Sequence, residues 1–185
     1  MLLRWSYLAT ILFAYQCLAH PNGDGLIGVG KYMYYPLCAA SCRGTIERAP
    51  LTCTPHDVEE GGGHSHGTTP PECYASNVPF MQTLALCISK RCAEEYTADI
   101  LETYWRRHMV RGGRPEMEPR PSRSYAEALA SIDVEPTEEY VSGEMLNRTS
   151  LISDDSWLGQ WNALGYFERA ESGHGQLRYG EPATS

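Results

Sequence analysis

Three histidines lie in one short, glycine-rich and acidic stretch that ends at a cysteine. The stretch reads HDVEEGGGHSHGTTPPEC and contains His56, His64 and His66, with Asp57 and the Glu59-Glu60 pair beside them. Imidazole and carboxylate ligands suit ferric or cupric ions. We therefore take these three histidines as candidate ligands for weak binding of iron or copper. The alternative is a solvated loop, because three consecutive glycines leave the segment unordered and ordering it costs about 1 kcal/mol or more per residue.

Six of the seven cysteines form the second pattern with chemical meaning, since Cys17 belongs to the predicted signal peptide described below. All six lie between positions 38 and 92: Cys38, Cys42, Cys53, Cys73, Cys87 and Cys92. An even number of cysteines in a secreted chain indicates disulfides. Two antiparallel helices that each carry two cysteines about one turn apart can be cross-linked twice. This favours Cys38–Cys92 nested around Cys42–Cys87, with Cys53–Cys73 closing the histidine stretch. Other pairings stay open, as does zinc binding by the thiols, although paired C-x2-C spacing is missing.

The start of the chain resembles a secretory signal peptide. Residues 1–19 contain a positive charge at Arg4, an apolar run from Trp5 to Tyr15 and the small-residue site Cys17-Leu18-Ala19, which is the usual three-part order. A retained signal anchor is the alternative, although the run is shorter than the ~18 residues that a membrane span needs. We expect cleavage before His20 and an extracellular location, either secreted or at the extracellular face of the plasma membrane.

Charge and motifs exclude several classes of function. The 185-residue chain has a formal net charge of −8, whereas nucleic-acid binding requires a basic surface, so we expect no nucleic-acid partner. The sequence contains no G-x-S-x-G motif and no convergent Ser-His-Asp pattern, and its paired carboxylates are adjacent in sequence. We therefore predict no catalytic residue. Asn147-Arg148-Thr149 is an acceptor triplet for N-glycosylation at Asn147, in keeping with an extracellular location.

Helical patterns supply the elements that position these residues. Asn77 is a plausible N-cap, with Pro79 in the first turn and apolar residues recurring at helical spacing to Cys92. Further helices are expected from near Thr97, from a capping box at Ser124, and from about Asp155 to Ser172. The predicted fold class is mostly α: a small disulfide-stapled helical ectodomain with long loops. The predicted segments are a signal peptide (1–19), a six-cysteine helical domain (20–110), a Pro/Gly-rich linker (111–123), a helical C-terminal part (124–174) and a disordered tail (175–185).

Four stretches resemble, in order, the N-terminal extracellular region of fungal ferric reductases, which are plasma-membrane relatives of NADPH oxidases. They read LIGVGKYMYYPLCAASCRGTI, PPECYASNVPFMQTLALCISKRCAE, SYAEALASIDVEPT and LNRTSLISDDSWLGQWNALGYFERAES. The resemblance covers about residues 26–180, and its most specific part begins at Glu72. Six cysteines arrive in matching order. The first pair also resembles the opening of fungal eight-cysteine modules, but two cysteines of that pattern are missing, so haem ligation is not carried over.

The resemblance implies an activity that belongs to other parts of the family. Ferric reductases pass electrons from NADPH through FAD and two haems to ferric iron outside the cell. The haems are held by histidine pairs on transmembrane helices, and the flavin and nicotinamide sites are cytosolic. This sequence has no G-x-G-x-x-G after a strand and no histidine pair on an apolar helix, so it carries none of these cofactor sites.

The function implied is the extracellular portion of a ferric reductase-like protein in reductive iron uptake. Its partners would be ferric chelates and the family's membrane domain. The C-terminal part, residues 124–174, would correspond to the juxtamembrane segment of the family. The chain would then be a fragment, or a truncated gene model, of the full-length family member, or else a secreted relative of its extracellular region. A secreted metal- or haem-binding protein and a structural interaction module are the alternatives.

Overall fold

Helices dominate the part of the chain that the structure describes. The computed structural model describes residues 34–55, 68–110 and 119–178, with side chains to residue 166. Within these ranges the helices are α1 (Leu37–Thr45), α2 (Pro71–Ser76), α3 (Val78–Cys92), α4 (Ala98–His108), α5 (Tyr125–Ala130) and α6 (Asp154–Arg178). The same ranges contain two isolated β-bridges and no strand. The prediction of a mostly α, disulfide-stapled fold is confirmed.

Local signals in the sequence start two of the helices. The Asn77 side chain accepts a hydrogen bond from the Phe80 N–H at 2.9 Å, with Pro79 in the first turn of α3. Ser124 and Glu127 form a reciprocal capping box at the start of α5. Each side chain satisfies a backbone N–H that has no partner within its helix. Both predicted N-caps are confirmed.

Two helices differ from the sequence-based expectation, one by its presence and one by its length. The short helix α2 (Pro71–Ser76) was not foreseen, because the surrounding Gly, Pro and Thr residues indicate loop. Pro71 stands at its first position, where proline costs no intrahelical hydrogen bond. The last helix, α6, extends six residues beyond the predicted end at Ser172 to Arg178.

One hydrophobic core connects the helices. Its largest fully buried side chains include Trp105, Phe80 and Ile46, and burying a side chain of this size contributes about 1.5–3 kcal/mol. Tyr125 and Leu146, which follow the predicted linker in sequence, belong to the same cluster. The described end of that linker also packs against the helices, since the Ser122 N–H donates to the Ala75 carbonyl at 2.8 Å. The segments before and after the linker therefore share a core.

Helix α6 packs against α1, far away in sequence. The Trp157 indole N–H donates to the Cys38 carbonyl at 3.2 Å, and the Gln160 amide donates to the Gly44 carbonyl at 3.4 Å. The Trp157 and Trp161 rings lie 5.1 Å apart and are partly buried against the core. The Arg91 guanidinium of α3 lies 4.9 Å from the Trp157 ring. The aromatic stripe of α6 is thus a packing face of this domain.

Residues 131–153 cross the domain between α5 and α6 without forming a helix. They are held by two parallel bridges, Leu51–Leu146 and Glu139–Leu151. A turn within this segment places Gly143 at φ +90°, a backbone conformation that side chains with a Cβ rarely adopt. This crossing segment carries the acceptor triplet at Asn147.

Candidate functional site

The disulfides connect α1 and α3 in the nested arrangement that the two-helix argument favoured. The bonded pairs are Cys38–Cys92 and Cys42–Cys87, each with its Cα atoms 5.8 Å apart. The four cysteines are buried at the contact between the two helices. Since both bonds join the same two helices, they hold α1 and α3 in one fixed register.

The third disulfide, Cys53–Cys73, fixes the base of the histidine stretch, with a Cα separation of 5.7 Å. Just inside it, the hydroxyls of Thr54 and Thr69 share a hydrogen bond of 2.7 Å, and both residues are buried. The Thr54 hydroxyl also accepts from the Leu51 N–H at 2.8 Å. The described residues on the two sides of the histidines are therefore bonded directly to each other.

The predicted metal ligands themselves lie outside the described residues. His56, His64 and His66 all fall between positions 55 and 68, so the proposal that they bind iron or copper stays a prediction. Among the residues that the structure describes, no group of three or more His, Cys, Asp or Glu side chains converges. His108 is the histidine whose side chain is described, and its ring stacks on Tyr104 at 5.1 Å.

The acceptor triplet is exposed at Asn147 but anchored on both sides. Leu146 is buried in the core, and its N–H donates to the Pro50 carbonyl at 2.8 Å. On the other side, the buried Ser150 N–H donates to the Thr83 hydroxyl at 3.0 Å. Asn147 borders a surface cavity of about 310 Å³. The folded surface therefore has room for a sugar at Asn147.

The third residue of the triplet is hydrogen-bonded to α3. The Thr149 hydroxyl donates to the Gln82 side-chain oxygen at 2.5 Å. The Gln82 amide nitrogen in turn donates to the Ser131 carbonyl at 2.7 Å and contacts the Ser131 hydroxyl at 3.0 Å. Because both ends of its amide are used, Gln82 holds the Thr149 hydroxyl in a fixed place.

A buried arginine is the most unusual polar group in the described residues, and the sequence-based prediction missed it. Arg43 is 7% exposed and donates to the Met109 carbonyl at 2.8 Å and to the Val110 carbonyl at 2.9 Å. Its guanidinium lies 4.9 Å from the Tyr74 ring and 5.2 Å from the Phe80 ring. Its Nη1 atom has no hydrogen-bond partner in the described part of the chain. An arginine in the last turn of a short helix gives no sign in the sequence that it will be buried.

This arginine lies in an apolar region that also affects a tyrosine. Burial raises the pKa of the Tyr104 phenol well above its ordinary value, and the positive charge of Arg43 opposes that rise. Arg43 connects α1 with the end of α4, since its two acceptors follow His108 directly. We assign it a positioning role within the core.

The chain gives no significant match to a model of any protein family, to a curated protein or to a solved structure. No helix in the described ranges is long and apolar enough to cross a membrane. The resemblance to ferric reductases therefore stays a prediction that depends on the four stretches quoted above.

Proposed function

We propose that this chain is the extracellular portion of a ferric reductase-like protein that acts in reductive iron uptake and has no catalytic machinery of its own. Its role is to shield the outer haem of the membrane domain and to admit ferric chelates. In this proposal the chain enters the secretory pathway, forms its disulfides there and carries a glycan at Asn147. Haem, FAD and NADPH belong to the other domains of such a protein.

One observation supports this proposal above the others. The four stretches that carry the resemblance, residues 26–46, 70–94, 124–137 and 146–172, include all of α1, α2, α3 and α5 and most of α6. These are the elements that the nested disulfides and the shared core hold together. The resembling residues thus include much of the core of the domain, as expected if the resemblance reflects a common fold, while α4 with the buried Trp105 lies outside them.

The test is the sequence of the transcript downstream of Ser185, combined with a deletion. We expect an in-frame apolar span of about 18 residues or more, followed by histidine pairs on further spans. Deleting residues 34–166 from such a full-length protein should preserve its haem absorption spectrum and reduce its rate of ferric-chelate reduction at the cell surface. A stop codon directly after Ser185, with the protein accumulating in the medium, would rule out the proposal.

A second function, metal collection by the histidine stretch, is favoured by the bonded base of that loop. The Cys53–Cys73 disulfide and the Thr54–Thr69 hydrogen bond bring the ends of the stretch together before any ligand binds. Because the ends are already together, ordering the stretch around a metal ion costs less chain entropy. Two bonded ends do not select a metal, so iron and copper are both to be tested.

Calorimetric titration of ferric citrate and of cupric chloride into the purified chain tests this second function. We expect the double change His64→Ala and His66→Ala to weaken binding of the preferred ion by at least about ten-fold, because losing a mere hydrogen-bond partner of a metal ligand already costs about that much. His108→Ala is the matched control, because it removes one imidazole outside the stretch. Equal binding by the wild-type and the double variant shows that the histidine stretch is not the site.

A further inference from the structure

The two reactive groups of the acceptor triplet, the Asn147 amide and the Thr149 hydroxyl, differ in their accessibility in the folded domain. Glycosylation requires both the asparagine amide and the threonine hydroxyl of the triplet to be accessible to the transferase, since the acceptor sequence is Asn-X-Ser/Thr. In the folded domain Asn147 is exposed, whereas the Thr149 hydroxyl donates to Gln82 at 2.5 Å. The folded triplet therefore presents one of the two groups and withholds the other.

The backbone around the triplet adds to this restriction. Leu146 is 1% exposed and Ser150 is 5% exposed, so both neighbours of the triplet are embedded in the domain. Their N–H groups are bonded to Pro50 and Thr83, which lie in other parts of the fold. Pulling the triplet away from the surface to fit an enzyme active site would break these contacts together.

We infer that Asn147 is glycosylated before the domain folds, and that folding then closes the acceptor. In the transfer step, the Asn147 side-chain nitrogen forms a bond to C1 of the first sugar of a lipid-diphosphate-linked oligosaccharide. The bond between C1 and the diphosphate oxygen breaks, the lipid diphosphate leaves with the electron pair, and one amide proton is released. Occupancy of Asn147 is thereby set by a race between transfer and folding, which the three disulfides help to complete.

The folded domain accommodates the product of this reaction. Asn147 is on the surface, and the adjoining cavity of about 310 Å³ is lined by Tyr140, Met145 and Arg148 among others. A sugar placed there meets apolar and polar side chains, both of which carbohydrates contact. The Thr149–Gln82 hydrogen bond does not involve the Asn147 amide, so it can form once the glycan is attached.

The inference rests on the proposed entry into the secretory pathway, but its main test does not. Purified oligosaccharyltransferase and a lipid-diphosphate-linked oligosaccharide are mixed with three acceptors of equal concentration. The first is the folded, oxidised chain produced without glycosylation, and the second is the same chain after reduction and alkylation. The third, the matched control, is a free peptide of residues 144–152, which contains the triplet without the fold.

We expect the peptide and the reduced chain to be glycosylated at similar rates, and the folded chain at least about ten-fold more slowly, because the Thr149 and Ser150 contacts must open first. Asn147→Gln should abolish transfer in every form. Gln82→Ala, which removes the acceptor of the Thr149 hydroxyl, should raise the rate of the folded chain toward that of the peptide. Transfer to the folded chain as fast as to the peptide, or no transfer to the peptide, overturns the inference.

The outcome in cells separates this inference from the proposed function. In a eukaryotic secretory host, we expect a glycan at Asn147 that peptide N-glycosidase removes, and higher occupancy when a mild reducing agent delays disulfide formation. A chain that does not enter the secretory pathway contradicts the proposed function and, with it, glycosylation of Asn147 in cells, whereas the rates with purified transferase decide separately whether folding closes the acceptor. A chain that is secreted without a glycan at Asn147 contradicts the inference alone.

Discussion

Removing the two nested disulfides one at a time and then together should reveal a strong coupling between them. The perturbations are Cys38→Ala with Cys92→Ala, Cys42→Ala with Cys87→Ala, and the combination of all four changes. The two bonds span 54 and 45 residues, but they are only four residues apart on α1 and five apart on α3. Once either bond is present, the other closes only a short additional loop.

The magnitude follows from the entropy of loop closure. The Cys42–Cys87 bond spans 45 residues, of which Cys53–Cys73 already closes 20, so the first nested bond restricts a loop of about 25 residues in the unfolded chain and contributes about 3.5 kcal/mol. The second bond then closes a loop of roughly nine residues, which contributes about 2.6 kcal/mol. Each single removal should therefore lower the free energy of unfolding by about 2.5 kcal/mol and the double removal by about 6.1 kcal/mol, a coupling of about 1.1 kcal/mol. Loss of the buried sulfur atoms adds to every variant but cancels in the comparison.

The assay is urea unfolding of the oxidised chain, followed by tryptophan fluorescence and far-UV circular dichroism. A loss of about 6 kcal/mol is close to the whole stability of many small domains. The double variant is therefore folded with increasing trimethylamine N-oxide, and its free energy is extrapolated back to buffer. Peptide mapping of the wild-type chain first verifies the pairing. Removal of Cys53–Cys73, which closes a loop of 20 residues inside both nested loops, serves as the control and should add to either single removal, because the loop that the remaining nested bond helps to close stays short.

One result would refute the reasoning. If the double removal costs the sum of the two single removals within about 0.5 kcal/mol, the bonds act independently and do not restrict the same pair of helices. A pairing by peptide mapping that joins either α1 cysteine to Cys53 or Cys73 would contradict the arrangement directly.

Three other changes test different parts of the domain. Arg43→Met should lower the free energy of unfolding by about 3 kcal/mol in urea unfolding, because two charge-assisted hydrogen bonds are lost. The control, Arg148→Met on the surface, should change it by less than about 0.5 kcal/mol. Equal effects of the two changes would contradict the positioning role of Arg43. Burial raises the pKa of Tyr104 above its ordinary value of 10.0, so the stability that Tyr104 provides is present below pH 10 and is lost as the pH rises further. Tyr104→Phe should therefore reduce the loss of stability that urea unfolding measures between about pH 8 and pH 11. An unchanged loss would exclude Tyr104 as a cause. Gly143→Ala should lower the free energy of unfolding by about 1 kcal/mol in thermal or urea unfolding, because of the φ of +90° at this position. Steric clash adds nothing, since no atom lies within 4 Å of the added Cβ. No measurable change would show that the turn adapts to alanine.

The sequence predicted what depends on nearby residues. The N-caps at Asn77 and Ser124 follow from hydrogen bonds within one turn, and the nested disulfides follow from cysteines one turn apart on two helices. These patterns involve residues that are close in sequence or that repeat at a helical period. The mostly α fold could be predicted for the same reason.

Contacts between distant residues could not be predicted in this way. The partners of Arg43 lie 66 and 67 residues away, and Thr149 is bonded to Gln82 across 67 residues. No local signal marks Arg43 for burial, since arginine is usually exposed. The acceptor triplet could be found from its three letters, but the hydrogen bond that closes it depends on how α3 and the crossing segment meet. His56, His64 and His66 fall outside the described residues, so metal binding by the histidine stretch is still a prediction.

The contact between α1 and α6 determines how the domain would respond to mechanical load. Helix α6 is attached to the rest of the fold by noncovalent contacts, such as those of Trp157 and Gln160, whereas α1 and α3 are joined by two covalent bonds. Tension applied along α6 therefore peels that helix from α1 before it can separate α1 from α3. The disulfides then limit further extension between residues 38 and 92. Under load, α6 is therefore the helix that detaches first, and the cysteine-linked helices resist the force.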